Sequence, residues 1–269
     1  MQKTILVTGS TDGIGSETAR MLVSLGHHVL LHGRSRSKLE DAEKALSALP
    51  GGGRVESYVA DLSAMADVEA LAQAVADKHA KLDVLINNAG VYSAPDPVTQ
   101  ARLDVRFAVN TIAPYLLTQR LLPLFGTAAR VINLSSAAQS PVDPKALAGL
   151  VRLPGGAAYA QSKLALTMWS RVLALSLKDR GPAIIAVNPG SMLGSKMVKQ
   201  AFGVAGGDIR IGAEILCRAA LADDFAAMSG QYFDNDSGRF AAPHPDALDA
   251  RKSQEIVRAI ETILAQTKQ

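Results

Sequence analysis

The chain has 269 residues, 28 Lys plus Arg against 25 Asp plus Glu, a net charge of +3 and 48% apolar content. That length and apolar share bury a core without staples and exclude a disordered or low-complexity protein. With 4% aromatic residues and no basic stripe denser than Arg34, Arg36 and Lys38, a nucleic-acid partner is not expected. The single cysteine, Cys217, excludes an intrachain disulfide and points to a reducing, cytoplasmic setting. The opening run Met1–Val7 enters a strand pattern at once, and no apolar run approaches the roughly 18 residues that span a bilayer, so no membrane association is expected.

Strand-like and helix-like segments alternate along the chain. Thr4–Thr8 reads as a strand, followed by a helix over Ile14–Leu25 that Gly26 closes. Val29–His32 is a second strand and Ser37–Leu49 a helix, with Ser37 as cap and Pro50-Gly51 as stop. Arg54–Ala60 alternates as a strand does, Met65–His79 is helical and Asp83–Ile86 is a short buried strand. Thr99–Phe125 reads as one long helical region, Arg130–Leu134 as a strand, Ala157–Lys178 as a helix and Ala183–Val187 as a strand. A helix over Ile211–Ala222, a strand over Gln231–Phe233 and an amphipathic helix over Ser253–Ala265 complete the chain. Such alternation demands crossovers, so the prediction is a single doubly wound α/β domain over residues 1–269. Its sheet of about seven strands is mostly parallel, with helices on both faces.

Between the first strand and the first helix stands Thr8-Gly9-Ser10-Thr11-Asp12-Gly13-Ile14-Gly15. Glycines there permit a tight turn and close main-chain approach, so helical N–H groups can meet a pyrophosphate. The spacing is G-x-x-x-G-x-G and departs from the commoner G-x-G-x-x-G. The second strand ends His32-Gly33-Arg34-Ser35. A carboxylate there would accept from a ribose 2′-hydroxyl, whereas an arginine fork pairs with a 2′-phosphate, so Arg34 favours NADP(H) over NAD(H). Asp12 pulls the other way, because its charge would lie near the same phosphates.

Further along the chain stand Asp61-Leu62, Asn87-Asn88-Ala89-Gly90, Asn110, Ser135-Ser136, Tyr159-x-x-x-Lys163 and Asn188-Pro189-Gly190. Together with the glycine loop, and in this order, these residues resemble the short-chain dehydrogenase/reductase family. The Gly33-Arg34 strand end and the long 137–158 segment look most like the retinol-dehydrogenase-like and protochlorophyllide-reductase-like branch. The resemblance implies a Rossmann-type fold and hydride transfer between NADP(H) and a carbonyl or alcohol, with a small, largely apolar molecule as substrate.

Tyr159 and Lys163 stand at i, i+4, about 6 Å apart along a helix and on one face. A nearby ammonium stabilises a phenolate by roughly 4 kcal/mol at 4 Å, enough to lower a tyrosine pKa by about three. The resemblance makes Tyr159 the general acid/base and Ser136, with Ser135 as its alternate, the partner of the substrate oxygen. Lys163 holds the nicotinamide ribose and Asn110 positions a relaying water. By the same carry-over Gly9, Thr11, Gly13, Ile14 and Gly15 cradle the phosphates, while Arg34 takes the 2′-phosphate. Asp61 and Leu62 flank the adenine, Asn88 and Gly90 wall the ribose, and Pro189 and Gly190 support the nicotinamide. The family usually carries threonine four residues after this last glycine; here Gly194 stands there, with Ser195 next.

Residues 190–210 combine Gly194, Gly203, Gly206 and Gly207 with Met192, Met197, Val198 and Phe202, a pattern that suits a lid over an apolar substrate. Pro141–Gly156 is a second candidate wall. His27, His28 and His32 sit along one strand without a metal-binding spacing, so no metal is expected. The resemblance implies a possible homo-oligomer, because the Ala157–Lys178 helix of the family often packs against a partner; here that helix carries Leu164, Met168, Trp169, Val172 and Leu175. Two other readings share the scaffold: a non-catalytic NADP(H)-sensing module and a reductase of carbon–carbon double bonds.

Overall fold

The Val-, Ile- and Leu-rich runs pair side by side in a computed structural model that describes residues 1–267, apart from the side chains of Asp179, Ala201 and Phe202. The strands are β1 (Thr4–Val7), β2 (His28–Gly33), β3 (Arg54–Val59), β4 (Val84–Asn87), β5 (Arg130–Leu134), β6 (Ala183–Asn188), β7 (Tyr232–Asp234) and β8 (Arg239–Ala241). They form one sheet in the order β3-β2-β1-β4-β5-β6-β7-β8. Every pairing is parallel except that of β7 with β8. The chain leaves β1 first towards β2 and β3, then returns to place β4 on its other side. The carboxyl ends of β1 and β4 therefore open a crevice where the winding reverses.

Residue alternation along the strands builds two cores. Ile5, Val7, Val29, Leu31, Ile86 and Ile185 face one side, where they meet α1 (Gly13–Ser24), α2 (Arg36–Ser47) and, further along the chain, α9 (Ile209–Leu221). Leu6, Leu30, Leu85, Val131 and Ile184 face the other, under α3 (Met65–Lys78), α4 (Val105–Phe107), α5 (Ala113–Leu121) and the longer α7 (Gly155–Leu177). Short helices α6 (Pro144–Leu147), α8 (Lys196–Phe202) and α10 (Pro245–Leu248) lie in the connections. The last helix, α11 (Ala250–Gln266), buries Ile256, Ile260 and Ile263 along one stripe against α7.

Four expectations change. The second helix starts at Arg36, because Ser35 rather than Ser37 caps it, its Oγ accepting from Lys38 N. The long helix begins at Val105, since residues 99–104 close a turn in which Thr99 N–H donates to Leu103 O and Thr99 Oγ1 accepts from Leu103 N. Between α4 and α5 a π-helical turn, Ala108–Ile112, interrupts it at Asn110. An eighth strand, too short and polar to read as one, doubles back through the turn at 235–238 and seats Phe240 on Phe225 and Phe233.

Three of the apolar residues named for a partner contact turn inward. Leu164, Met168 and Trp169 are buried within the chain, because α7 is covered by the sheet on one side and by α11 on another. Of that set Leu175 is 56% exposed and Val172 is half-buried. Among the described residues, no helix is long and apolar enough to cross a membrane.

Candidate active site

A cleft of about 480 Å³ runs along the carboxyl edge of the sheet from Arg34 and Asp61 to Tyr159 and Lys163. Its first end is main chain. Leaving β1, the loop at 8–15 passes so close to the β4 loop that a Cβ on Gly15 would lie 2.3 Å from both Gly9 O and Asn88 Nδ2. Asn88 Nδ2 donates to Thr8 O (2.8 Å) and Gly9 O (3.0 Å), while Ala89 N–H donates to Thr8 Oγ1. His32 fixes the third side. Its Nδ1 accepts from Gly9 N (3.2 Å), which leaves Nε2–H to donate to Ala60 O at 3.2 Å. Burial depresses this imidazole to about 4, so it stays neutral at physiological pH.

Thr11 packs against Gly33, where a Cβ would lie 2.8 Å from Thr11 Cγ2, and Gly13, Ile14, Arg34, Asp61, Leu62, Asn88 and Gly90 all border the cleft. Asp12, the residue that weighs against a phosphate, caps α1 and accepts from Lys196 Nζ, which offsets its charge.

The second end is built from side chains. Lys163 Nζ lies over the Tyr159 ring, 5.7 Å from its centroid, so both groups share one face of α7. Lys163 is 4% exposed and donates to Leu134 O at 2.7 Å. Burial pulls its ammonium down to about 8. The Tyr159 phenol moves opposite to the expectation. Burial pushes it up, a hydrogen bond from the Ser136 hydroxyl acts the other way, and the neighbouring Tyr92 adds to the rise. The reason is that desolvation outweighs the Ser136 hydrogen bond, while the Lys163 ammonium is engaged with Leu134 O.

Asn110 sits in the π turn. Its Oδ1 accepts from Val91 N (2.8 Å) and its Nδ2 donates to Val91 O and Ser162 Oγ. Both Lys163 Nζ and Asn110 Oδ1 look towards Gly90, where a Cβ would lie 3.5 and 3.6 Å from them. Of the serine pair, Ser135 is buried against Thr167 Oγ1 (2.7 Å), which leaves Ser136 to meet Tyr159. Asn110, Ser136 and Gly190 are not among the residues that line the cleft, whereas Pro189 is. The turn carrying Pro189 is tied to the β7–β8 hairpin: Asn188 Nδ2 donates to Asp234 and Asp236, and Ser191 N–H and Oγ donate to Asp236.

The 190–210 segment contributes Ser195, Lys196, Met197 and Gln200 to the cleft. Gly194 replaces a threonine because the chain folds back on itself there; a Cβ would stand 2.7 Å from Gly207 O. Ser195 Oγ is used as the cap of α8, accepting from Val198 N. The side chain of Phe202, expected in the lid, lies outside the described residues. The 141–156 segment folds around α6 against α11 and does not line the cleft. The three histidines face separate partners: His27 Nδ1 accepts from Lys3 N, His28 sits beside Glu56, and His32 holds the glycine loop.

His32, Tyr92, Asp104 and Arg106 are functional candidates that sequence reasoning missed. A histidine inside an apolar strand run was the available signal for the first. For Arg106 it was the position one helical turn before Asn110.

A cleft at this switch point, glycine-lined at one end, defines a nucleotide-binding class of α/β protein. Residues 3–203 match the family model for short chain dehydrogenase, and the chain belongs to that family of oxidoreductases. It is 30% identical over 277 residues to retinol dehydrogenase 13 of Homo sapiens, covering 96% of this chain and 82% of that one, in keeping with the retinol-dehydrogenase-like branch. A crystal structure of an uncharacterized protein from Mycobacterium paratuberculosis superposes with a TM-score of 0.80 at 27% identity, covering 99% and 94% of the two chains. The NADP complex of Pseudomonas aeruginosa RhlG does so with a TM-score of 0.70 at 27% identity, covering 86% and 94%.

Proposed function

We infer that the protein is an NADP(H)-dependent oxidoreductase that interconverts a carbonyl group and an alcohol. The observation that carries this reading is the stacking of Lys163 Nζ over the Tyr159 ring at the cleft end opposite the glycine loop. The residues fit a dinucleotide. Gly9, Gly13 and Gly15 bring main chain to the cleft beside the α1 N-terminus, the charge of the capping Asp12 is offset by Lys196, and β2 ends without a carboxylate. Gly9, Thr11, Gly13, Ile14 and Gly15 would hold the phosphates and Arg34 the 2′-phosphate. Asp61 and Leu62 would hold the adenine, Asn88, Gly90 and Lys163 the riboses, and Pro189 and Gly190 the nicotinamide. Bound there, the nucleotide supplies or accepts the hydride.

The chain's own part is proton handling and orientation. Tyr159, held protonated at neutral pH by its raised pKa, donates its proton to the developing alkoxide during carbonyl reduction. Ser136 hydrogen-bonds the same oxygen, and Asn110 positions a water that returns a proton through Lys163. Residues 190–210 act as the lid. Val91, Val105, Val109 and Met197 give the neighbouring wall an apolar character that suits an apolar substrate. The similarity to a retinol dehydrogenase and to an NADP complex supports both readings. The lone, buried Cys217 fits a cytoplasmic setting.

The test is loss of NADPH absorbance at 340 nm against a panel of ketones, aldehydes and enones, with product identification. The expected products are alcohols. Tyr159→Phe is expected to keep NADPH binding and lose turnover by about 10²–10⁴-fold. A variant with full turnover would remove the proposed acid, and saturated carbonyl products would replace carbonyl reduction with double-bond reduction.

A further inference from the structure

Beside the catalytic end lies a buried ion pair with no part in proton transfer. Arg106 is 7% exposed and Asp104 8%. Arg106 Nη1 donates to both oxygens of Asp104, at 3.0 and 2.9 Å. The third bond leaves the pair: Arg106 Nε donates to Tyr92 O at 2.8 Å. One helical turn later Asn110 grips the preceding residue, Val91, through its N–H and its carbonyl. Two side chains on successive turns thus hold two successive residues of the β4 loop, as a neighbouring strand would, and set that loop's register.

The guanidinium also reaches the start of α7. A Cβ on Gly155 would lie 2.8 Å from Arg106 Nη2, and one on Gly156 would lie 3.4 Å from Tyr92 Oη. Only glycine at 155 leaves room for the fork. Four residues after it, the Tyr159 ring meets the Tyr92 ring with centroids 4.9 Å apart at 56°. Arg106 therefore touches both segments that converge on Tyr159, the loop carrying its aromatic neighbour and the first turn of its own helix.

We propose that the Asp104–Arg106 pair positions Tyr159, by holding Tyr92 against its ring and fixing the first turn of α7. Arg106 is a positioning residue, because it acts through Tyr92 and Gly155. The geometry calls for arginine in particular: one planar fork serves Asp104 and Tyr92 O in different directions, which a lysine ammonium on a flexible stem cannot do at once. A displacement of the reacting group by a fraction of an ångström is felt strongly in turnover. The effect of Tyr92 on the Tyr159 phenol, alongside that of Ser136, agrees with this coupling. The proposal rests on the catalytic reading of Tyr159 only for its kinetic arm.

The test uses the full-length chain with 13Cζ-labelled tyrosine, the Tyr159 resonance being assigned by its loss in Tyr159→Phe. Arg106→Lys keeps a charge beside Asp104 and removes the fork. It is expected to shift the Tyr159 resonance and its titration midpoint and to lower kcat by about 10- to 100-fold with NADPH affinity unchanged. Gly155→Ala displaces the guanidinium without uncovering a charge. It is expected to give the same signature, and it decides the matter if Arg106→Lys does not fold. Folded variants with a wild-type Tyr159 resonance and wild-type kcat, altered only in Tm, would reduce the pair to a structural brace and overturn the proposal. If the wild-type chain turns over no carbonyl or alcohol, the functional reading fails while the resonance still decides the positioning claim.

Discussion

The two ends of the cleft are held by different means. At the glycine-loop end, main chain crosses main chain: Gly9 and Gly15 pass within a Cβ's reach of each other, and Asn88 and His32 bond main-chain groups of the loop. At the Tyr159 end, the polar atoms of Tyr159, Lys163, Asn110 and Ser136 are held mostly by other side chains and by carbonyls of neighbouring elements. The first end fails when volume is added, because backbone has nowhere to move. The second fails when a charge or hydrogen bond is changed, because the groups there are buried in positions that cost free energy to maintain.

Lys163 breaks this contrast most sharply. Its folded value of about 8 lies below the ordinary 10.5. Below pH 8 the folded and unfolded chains both hold the proton, so the burial penalty is present in full, about 3 kcal/mol. Between about 8 and 10.5 the unfolded chain binds more protons than the folded one, so this contribution to stability rises with pH. Lys163→Met is therefore expected to be more stable than wild type near neutral pH, with the gap closing towards pH 10.5, while turnover falls by roughly 10²–10⁴-fold. Chemical denaturation of both proteins across that range measures the gap. A gap independent of pH would show that charge burial is not its source.

Gly15→Ala sharpens the other side. The added methyl would stand 2.3 Å from Gly9 O and Asn88 Nδ2. A loss of about 1–3 kcal/mol of stability is expected, with weaker NADPH binding. Thermal melting with and without NADPH reads both effects, and a wild-type Tm would contradict the packing argument. Arg34→Ala is the mildest change, since it alters neither packing nor burial. It is expected to weaken NADPH binding by roughly 10- to 100-fold, the worth of one charge-assisted contact, and to leave NADH binding and Tm unchanged. Titration of both nucleotides by fluorescence gives the ratio, and equal losses for the two would assign Arg34 a role unrelated to the 2′-phosphate.

The same contrast separates what is legible along the chain from what is not. The glycine loop was legible because its residues are contiguous and flanked by a strand and a helix. Tyr159 and Lys163 were legible because a four-residue spacing on a helix is a statement about one face. His32 was not, for its bond to Gly9 spans two elements and its strand context looks only apolar. The π turn at Asn110 was hidden for a similar reason: the hydrogen bonds from Asn110 to Val91 and Ser162 lie across elements, and the local pattern reads as plain helix. The burial of Leu164, Met168 and Trp169 was hidden because apolar residues on a helix announce burial without saying by what; α11, much later in the chain, packs against α7.

Order along the chain was enough to specify the alternating strands, the doubly wound sheet and the location of the crevice, because hydrophobic periodicity and turn chemistry are local properties. The direction of the Tyr159 and Lys163 shifts, the burial of Ser135 against Thr167 and the grip of Arg106 on Tyr92 emerged only on folding. Desolvation and hydrogen-bond partnership depend on which distant segments arrive at the same place, and no spacing along a chain encodes that by itself.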